Sequence, residues 1–249
     1  MMLRDKVSLV TGAAGGIGRQ IALTLAKEGS KVAIVDIKEK EGEETVREIN
    51  SISEGMFIKA DISRVANIED VVQEVYRKYG RIDILVNNAG ISIRAAVDEL
   101  TEEEWDRINT INLKAAYFFS KEVCRIMKNQ RWGRIVNIAS IRGLVADETH
   151  TAYSITKAGM LAMTRSFAFN LAQYNINVNA VSPGYVLTPM TEHNLARPGW
   201  LDWLRSRVPL GRLIEMQEVA DAVLFLVSDK ATGITGHNIV IDGGWTIHE

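Results

Sequence analysis

The chain holds a single cysteine, Cys124, among its 249 residues, so no internal disulfide can staple it. Cys124 falls in the apolar-periodic stretch AAYFFSKEVCRIM and reads as a core thiol. Histidines number four and are scattered, which leaves no structural zinc pattern and no expected metal. All four prolines come after residue 180, so no proline interrupts the elements before that point. Long apolar runs are missing too. The opening MMLRDKVSLVTG enters a strand with no stretch of signal-peptide length, and Ser166 to Thr191 lacks Asp, Glu, Lys and Arg but carries asparagines and prolines that rule out a membrane span. Neither sign of charge is in excess. Lys plus Arg total 29 against 31 for Asp plus Glu, and a net charge of −2 makes no electrostatic case for nucleic acid. Linkers rich in Pro, Gly or Ser, low-complexity tracts and short repeats are also absent. The expectation is one cytoplasmic domain spanning 1–249, large enough to bury a substantial core.

What is present is alternation. Short β-branched runs at 7–11, 31–36, 55–60, 82–87, 133–140, 176–182 and 237–242 read as strands. Helical periodicity occupies 16–28, 38–50, 64–79, 101–128, 150–174 and 215–228. Strands that are apolar on both faces, separated by amphipathic helices, predict an α/β fold: a parallel sheet with right-handed crossovers and helices on both sides. The segment 184–212 breaks the alternation and reads as an insertion or lid.

The first chemical motif is Thr-Gly-Ala-Ala-Gly-Gly-Ile-Gly, Thr11 to Gly18, between the first strand and the first helix. Gly12, Gly16 and Gly18 allow a tight turn and a close backbone approach to a pyrophosphate at a helix N-terminus. Asp36 closes the second strand, 18 residues beyond Gly18. An acid there accepts from ribose hydroxyls and repels a 2′-phosphate, which argues for NAD over NADP. Ala13, Ala14, Gly15 and Ile37 offer no base for the extra phosphate, although Lys38 is close. The plainer reading of Asp36 is a cap on the next helix.

The second is a triplet. Ser140, Tyr153 and Lys157 lie thirteen and then four residues apart, the last two one helical turn apart on one face. An ammonium beside a phenol favours phenolate and is expected to lower the tyrosine pKa towards the range of a general acid or base. A serine hydroxyl from another element could hold the substrate oxygen against that phenol. Taken one at a time, Ser140 could be an N-cap and Lys157 a solvated side chain. Asn112 in a helical pattern could be a structural back-bond, and Asn87–Asn88 a turn.

These motifs together resemble the short-chain dehydrogenase/reductase family over the whole length. They are TGxxxGIG at 11–18, Asp61–Ile62 after the third strand, NNAG at 87–90, Asn112 in an INL step, Ser140 ahead of YSITK at 153–157, and PGYVLT at 183–188. The resemblance implies a Rossmann-type doubly wound parallel sheet of about seven strands with a small helical substrate lid. It implies a cofactor site of Gly12, Gly16, Ile17, Gly18 and Asp36, with Asp61 and Ile62 at the adenine and Asn88, Ala89 and Gly90 along the channel. Tyr153 and Lys157 would meet the nicotinamide ribose, and the Val186 backbone with Thr188 the carboxamide. Asn112 would hold a water in a proton relay through Lys157 to Tyr153, and a homotetramer would use the helices around 101–128 and 150–174.

The substrate is a class at this stage. Arg142, Glu148 and His150 flank the triplet, and Tyr185, His193, Trp200 and Trp203 lie in the lid segment. Polar and aromatic groups of this kind suit a polyol, sugar or sugar acid, and the segment is similar to NAD-dependent polyol and sugar dehydrogenases of the family. Trp200 and Trp203, three apart, could equally pack the lid itself. A 3-oxoacyl-(acyl-carrier-protein) reductase is the alternative, although it normally carries a basic residue in the glycine-rich turn. A hydroxysteroid or simple alcohol dehydrogenase would want a greasier pocket. A non-catalytic dinucleotide-sensing scaffold is the remote reading.

Overall fold

A computed structural model of the protein describes residues 1–146, 148–188, 191–192 and 196–247. Seven strands form one sheet in the order β3-β2-β1-β4-β5-β6-β7, every pair parallel. They are β1 (Val7–Thr11), β2 (Lys31–Asp36), β3 (Gly55–Lys59), β4 (Ile84–Asn87), β5 (Gly133–Ile138), β6 (Ile176–Pro183) and β7 (Asn238–Ile241). The helices are α1 (Gly16–Lys27), α2 (Glu39–Asn50), α3 (Val65–Tyr79), α4 (Glu102–Asn109), α5 (Ala115–Gln130), α6 (Thr151–Leu171), α7 (Trp200–Arg207) and α8 (Met216–Val227). The doubly wound parallel sheet expected from the alternation is the one found.

The period of two along each strand divides the core. Val10, Ile84, Val86, Val136 and Val181 pack with Ile21 and Leu25 of α1, Ile49 of α2 and Val219, Val223 and Leu226 of α8. Their alternates Leu9, Leu85, Ile135 and Val178 pack with Val72 of α3, Phe119 and Val123 of α5 and Leu171 of α6. Both faces are therefore covered, which is why β1, β4, β5 and β6 are buried along their whole length. The edge strands β3 and β7 are only partly so.

The chain runs outward from β1 to β2 and β3, then returns to place β4 on the other side of β1. That reversal opens a crevice beyond the carboxyl ends of β1 and β4, where open α/β sheets bind ligands. Thr11 ends β1 and Asn87 ends β4, so the glycine-rich turn and the Asn88–Gly90 segment meet there.

One element departs from expectation. The single helix anticipated over 101–128 is two helices, α4 and α5, joined by a π-helical turn at Thr110–Lys114. Thr101 and Glu104 form a capping box that starts α4. The break centres on Asn112, which is fully buried and bonds outside its own helix.

Candidate active site

The turn after β1 is shaped by what cannot fit in it. Gly12 sits at φ +66°, and a Cβ there would lie 2.7 Å from Ala89 Cα. A Cβ on Gly18 would fall on the Gly12 carbonyl oxygen and the Asn88 amide nitrogen. Gly15 and Gly16 face open space, so the first turn of α1 presents bare backbone at a helix N-terminus. Asn88 ties the turn down: its Nδ2 donates to the carbonyls of Thr11 at 3.0 Å and Gly12 at 2.9 Å. Thr11 Oγ1 accepts from the amides of Asn88 and Ala89, both at 3.1 Å. The role of Thr11 was not apparent from the sequence, although it is the first residue of the motif.

Asp36 ends β2 with one carboxylate oxygen accepting from Ala14 N at 3.0 Å and the other from Lys38 N at 3.1 Å. These bonds fix the carboxylate beside the glycine-rich turn, and each oxygen retains a second lone pair. Asp61 is exposed, its Oδ1 accepting from Ser63 N, which with neighbouring bonds holds its carboxyl below the usual range. Ile62 beside it is half-buried. The residues fit a dinucleotide: a backbone cradle that a Cβ would fill, an anion-favouring helix end and an acid placed next to both.

Ser140, buried after β5, caps a 3-10 turn at Ile141–Gly143, its Oγ accepting from Arg142 N at 3.1 Å. Tyr153 and Lys157 project from the first turns of α6. Burial pushes the Tyr153 phenol above its ordinary pKa of 10.0, while its hydrogen bond with Ser140 and the charge of Arg142 pull the other way. Lys157 Nζ lies 5.6 Å from the centre of the Tyr153 ring and donates to the Ile138 carbonyl at 2.7 Å. Its own pKa is pushed down to about 8 by burial. The expected lowering of the tyrosine pKa by its lysine neighbour is not what the structure shows: burial raises the phenol, Ser140 and Arg142 oppose that rise, and the ammonium is turned to the end of β5.

Asn112 joins this group from the π-turn. Its Oδ1 accepts from Ile91 N at 2.8 Å, and its Nδ2 donates to Ile91 O at 2.9 Å and to Thr156 Oγ1 at 3.2 Å. A Cβ on Gly90 would lie 3.3 Å from Asn112 Oδ1 and 3.7 Å from Lys157 Nζ, so all three residues border one small space. The fold thus gathers Asn112, Ser140, Tyr153 and Lys157 from three separate segments.

Thr188 follows the short bridge between Val186 and Ile214, and its amide donates to Thr191 Oγ1 at 3.0 Å. Arg142 donates from Nη2 to the Tyr185 hydroxyl at 2.7 Å. Tyr185 packs in turn against Trp245, Trp203 and Trp200, with ring centres 5.0, 5.8 and 6.2 Å away. The rings touch one another, the arrangement in which α7 packs on the body of the protein. Trp245, which completes this cluster, follows the Gly243–Gly244 pair after β7. His150 stands edge-on to Tyr153 at 6.2 Å and accepts at Nε2 from Arg94 Nε at 3.1 Å, a second partner invisible in the sequence. Glu148 is exposed, and His193 lies outside the described residues. Among the described residues no cluster of metal ligands occurs, and no helix is long and apolar enough to cross a membrane.

A family model described as enoyl-(acyl carrier protein) reductase matches residues 12–246. The chain is 42% identical to the 3-oxoacyl-(acyl-carrier-protein) reductase FabG of Thermotoga maritima, over 99% of this chain and 100% of that one. It is 40% identical to the NAD-dependent glycerol dehydrogenase of Listeria innocua, over 98% of this chain and 95% of the other. Among solved structures it is similar to levodione reductase, with a TM-score of 0.94, 32% identity, and coverage of 98% of this chain and 99% of that one.

Proposed function

Because the chain belongs to the short-chain dehydrogenase/reductase family, we propose that it interconverts a secondary alcohol and a ketone with NAD(H), acting on a polyol, sugar or sugar acid. The observation that carries this reading is the convergence of Ser140, Tyr153, Lys157 and Asn112 beside the crevice at β1 and β4. A nicotinamide cofactor, when bound, takes or gives the hydride. Gly12, Gly16, Ile17 and Gly18 would hold its pyrophosphate, and Asp36 its ribose. Asp61 and Ile62 would lie at the adenine, Asn88, Ala89 and Gly90 along the channel, and Val186 and Thr188 at the carboxamide. The preference for NAD rests on Asp36 and on a glycine-rich turn without a basic residue. It accords with the name of the glycerol dehydrogenase relative.

The remaining steps belong to the side chains. Ser140 donates to the substrate oxygen and Tyr153 exchanges the proton with it. Burial disfavours the Tyr153 phenolate, so ionisation depends on positive charge nearby: Arg142 supplies some, and Lys157, one turn along α6 and meeting the ribose, would add to it. Asn112, which borders the same small space as Lys157, would hold a water in the proton relay through Lys157 and the ribose to Tyr153. The chain works as one dinucleotide-binding domain over 1–249, in the cytoplasm, as a homotetramer. Residues 184–212 form its lid, with Tyr185, Trp200 and Trp203 packing α7 over the site and Arg142, Glu148 and His150 on the facing loop.

Steady-state kinetics with NAD and NADP across polyols, aldonates, simple secondary alcohols and acetoacetyl thioesters test this reading. NAD-linked turnover of polyols or aldonates is the expected result. NADPH-linked reduction of the thioester alone would favour the acyl-carrier-protein alternative that the FabG relative suggests. Replacing Tyr153 by Phe should lower kcat by roughly 10²–10⁴-fold and leave NADH affinity nearly intact. Residual activity above a few per cent overturns the assignment.

A further inference from the structure

An asparagine is out of place in the middle of β5. Its neighbours Ile135, Val136 and Ile138 are apolar, the strand is buried along its whole length, and Asn137 itself is 0% exposed. A valine would suit that place, whereas a buried amide must find partners for its polar atoms. Asn137 finds them in a belt that crosses four elements. Asn87, its pairing partner on β4, donates from Nδ2 to Asn137 Oδ1 at 2.8 Å and to Ser120 Oγ on α5 at 2.9 Å. Asn137 Nδ2 donates in turn to Thr164 Oγ1 on α6 at 2.8 Å. Each hydroxyl passes its own proton to its helix, Ser120 to the Ala116 carbonyl and Thr164 to the Met160 carbonyl. Turning the Asn87 amide over would set its oxygen against that of Asn137, so the direction of the belt is fixed.

The belt ends beside a catalytic group. Thr164 lies seven residues past Lys157, two turns along the same face of α6. Asn137 immediately precedes Ile138, whose carbonyl receives the Lys157 ammonium at 2.7 Å. The helix therefore meets the end of β5 at two levels, through a hydroxyl and through an ammonium. The apolar contacts around them, among Ala116, Ala139, Met160 and Leu161, are non-directional and set no register. A hydrogen bond of fixed direction does.

We propose that Asn137 is a positioning residue for Lys157, clasping α6 through Thr164 so that the ammonium keeps its place beside the Tyr153 phenol. This rests on the dehydrogenase reading above and gives β5 a part in it. Asn137 acts through the helix, not on the reacting atoms. Cutting the clasp changes no charge: burial is what displaces Lys157, and the charged side chain that reaches Tyr153 from the neighbouring 3-10 turn is Arg142.

Four variants separate the clasp from plain stability. Thr164→Val cuts it at α6, Asn137→Val removes it at β5, Thr164→Ser keeps it, and Ser120→Ala cuts the belt at α5 alone. The first readout is kcat against pH, with saturating NAD and the best alcohol of the kinetic panel. A loosely held ammonium favours the phenolate less, so Thr164→Val and Asn137→Val should move the rising limb to higher pH and lower kcat at neutral pH by about 10-fold. NADH affinity, followed by fluorescence, should stay nearly unchanged and shows that each variant is folded. Thr164→Ser should keep the wild-type limb, and so should Ser120→Ala although its Tm falls. Should Asn137→Val fail to fold, Thr164→Val, which keeps the side-chain volume, still decides. The second readout needs no turnover. With isotope-labelled lysine, the nuclear magnetic resonance signal lost in Lys157→Met should titrate at about 8 in wild type and higher in Thr164→Val, where water reaches the ammonium. Lower Tm in Thr164→Val with both readouts at wild-type values overturns the clasp, since a merely structural bond does that. Absence of turnover with every alcohol removes the dehydrogenase reading instead, and the lysine titration alone then decides whether Asn137 and Thr164 hold Lys157.

Discussion

Lys157 is enclosed so fully that burial brings its ammonium from a pKa of 10.5 down to about 8. Below about pH 8 the lysine is charged in both the folded and the unfolded chain, and the cost of burying the charge is present in full. Between about 8 and 10.5 the unfolded chain still binds this proton and the folded chain does not, so stability rises with pH. Tyr153 acts in the opposite sense and only higher up. Its raised pKa makes the folded state retain a proton above 10.0 that the unfolded state has lost, so stability falls there. Urea unfolding of the cofactor-free protein at pH 7, 8, 9 and 10 should therefore show wild type gaining on Lys157→Met as pH rises past 8. A constant gap would show that the lysine does not titrate in this window. The four-residue spacing of Tyr153 and Lys157 was legible in the sequence because one helix sets it. The direction of the ammonium was not, because the Ile138 carbonyl that receives it lies 19 residues away at the end of β5.

Among the elements, the π-turn between α4 and α5 shows how a local pattern is overridden. Periodicity runs through TINLK without a break, and nothing in it signals an extra residue in the turn. The interruption comes from Asn112, whose amide satisfies both backbone groups of Ile91, 21 residues earlier on the loop after β4. That pairing fastens the loop bearing Asn88, Ala89 and Gly90 to the π-turn packed against α6, so the proposed cofactor channel and the proposed catalytic group share one brace. Asn112→Ala leaves two part-buried backbone groups without these bonds, at a cost of about 2 kcal/mol. For a chain of this size that corresponds to a fall of roughly 4–8 °C in Tm. Calorimetry checks it, and an unchanged Tm with lowered kcat would confine Asn112 to proton relay. The strands were readable for the converse reason. Their burial on both faces is a property of each short segment, so β1, β2 and β6 begin where the apolar runs do.

At the scale of the whole molecule, the outer faces of α5 and α6 remain to be covered. Phe169 is 86% exposed, and Tyr117 and Ile155 are close to half exposed. Single exposed apolar residues need no explanation, but the Tyr117 ring packs on Phe118 and Phe167, 5.5 and 5.3 Å away, and Ile155 and Phe169 lie fourteen residues apart on one face of α6. Their placement suits a two-fold axis across α6. Phe169 lies 18 residues past Thr151 on that helix, or ~27 Å along its axis. An antiparallel copy would bring it over the first turns of the other α6. There an apolar hollow of about 480 Å³ is lined by Ala95, Ala96, Leu100, Trp105 and Ala152. The same contact then occurs twice, as an isologous interface requires. Thr151 and Ala152, which precede Tyr153 at the start of α6, form part of the hollow's wall. If the proposed assembly forms in this way, it would bear on the shape of the substrate site. Family resemblance indicated which helices would pair, but only the fold shows that an exposed ring and an empty hollow stand at the two ends of one helix. Sedimentation velocity at micromolar protein should show wild type as a tetramer, and Phe169→Asp should move it to dimers or monomers with KM raised more than NADH affinity is weakened. A wild-type protein that sediments as a 27.7 kDa monomer would refute both the assembly and its link to the site.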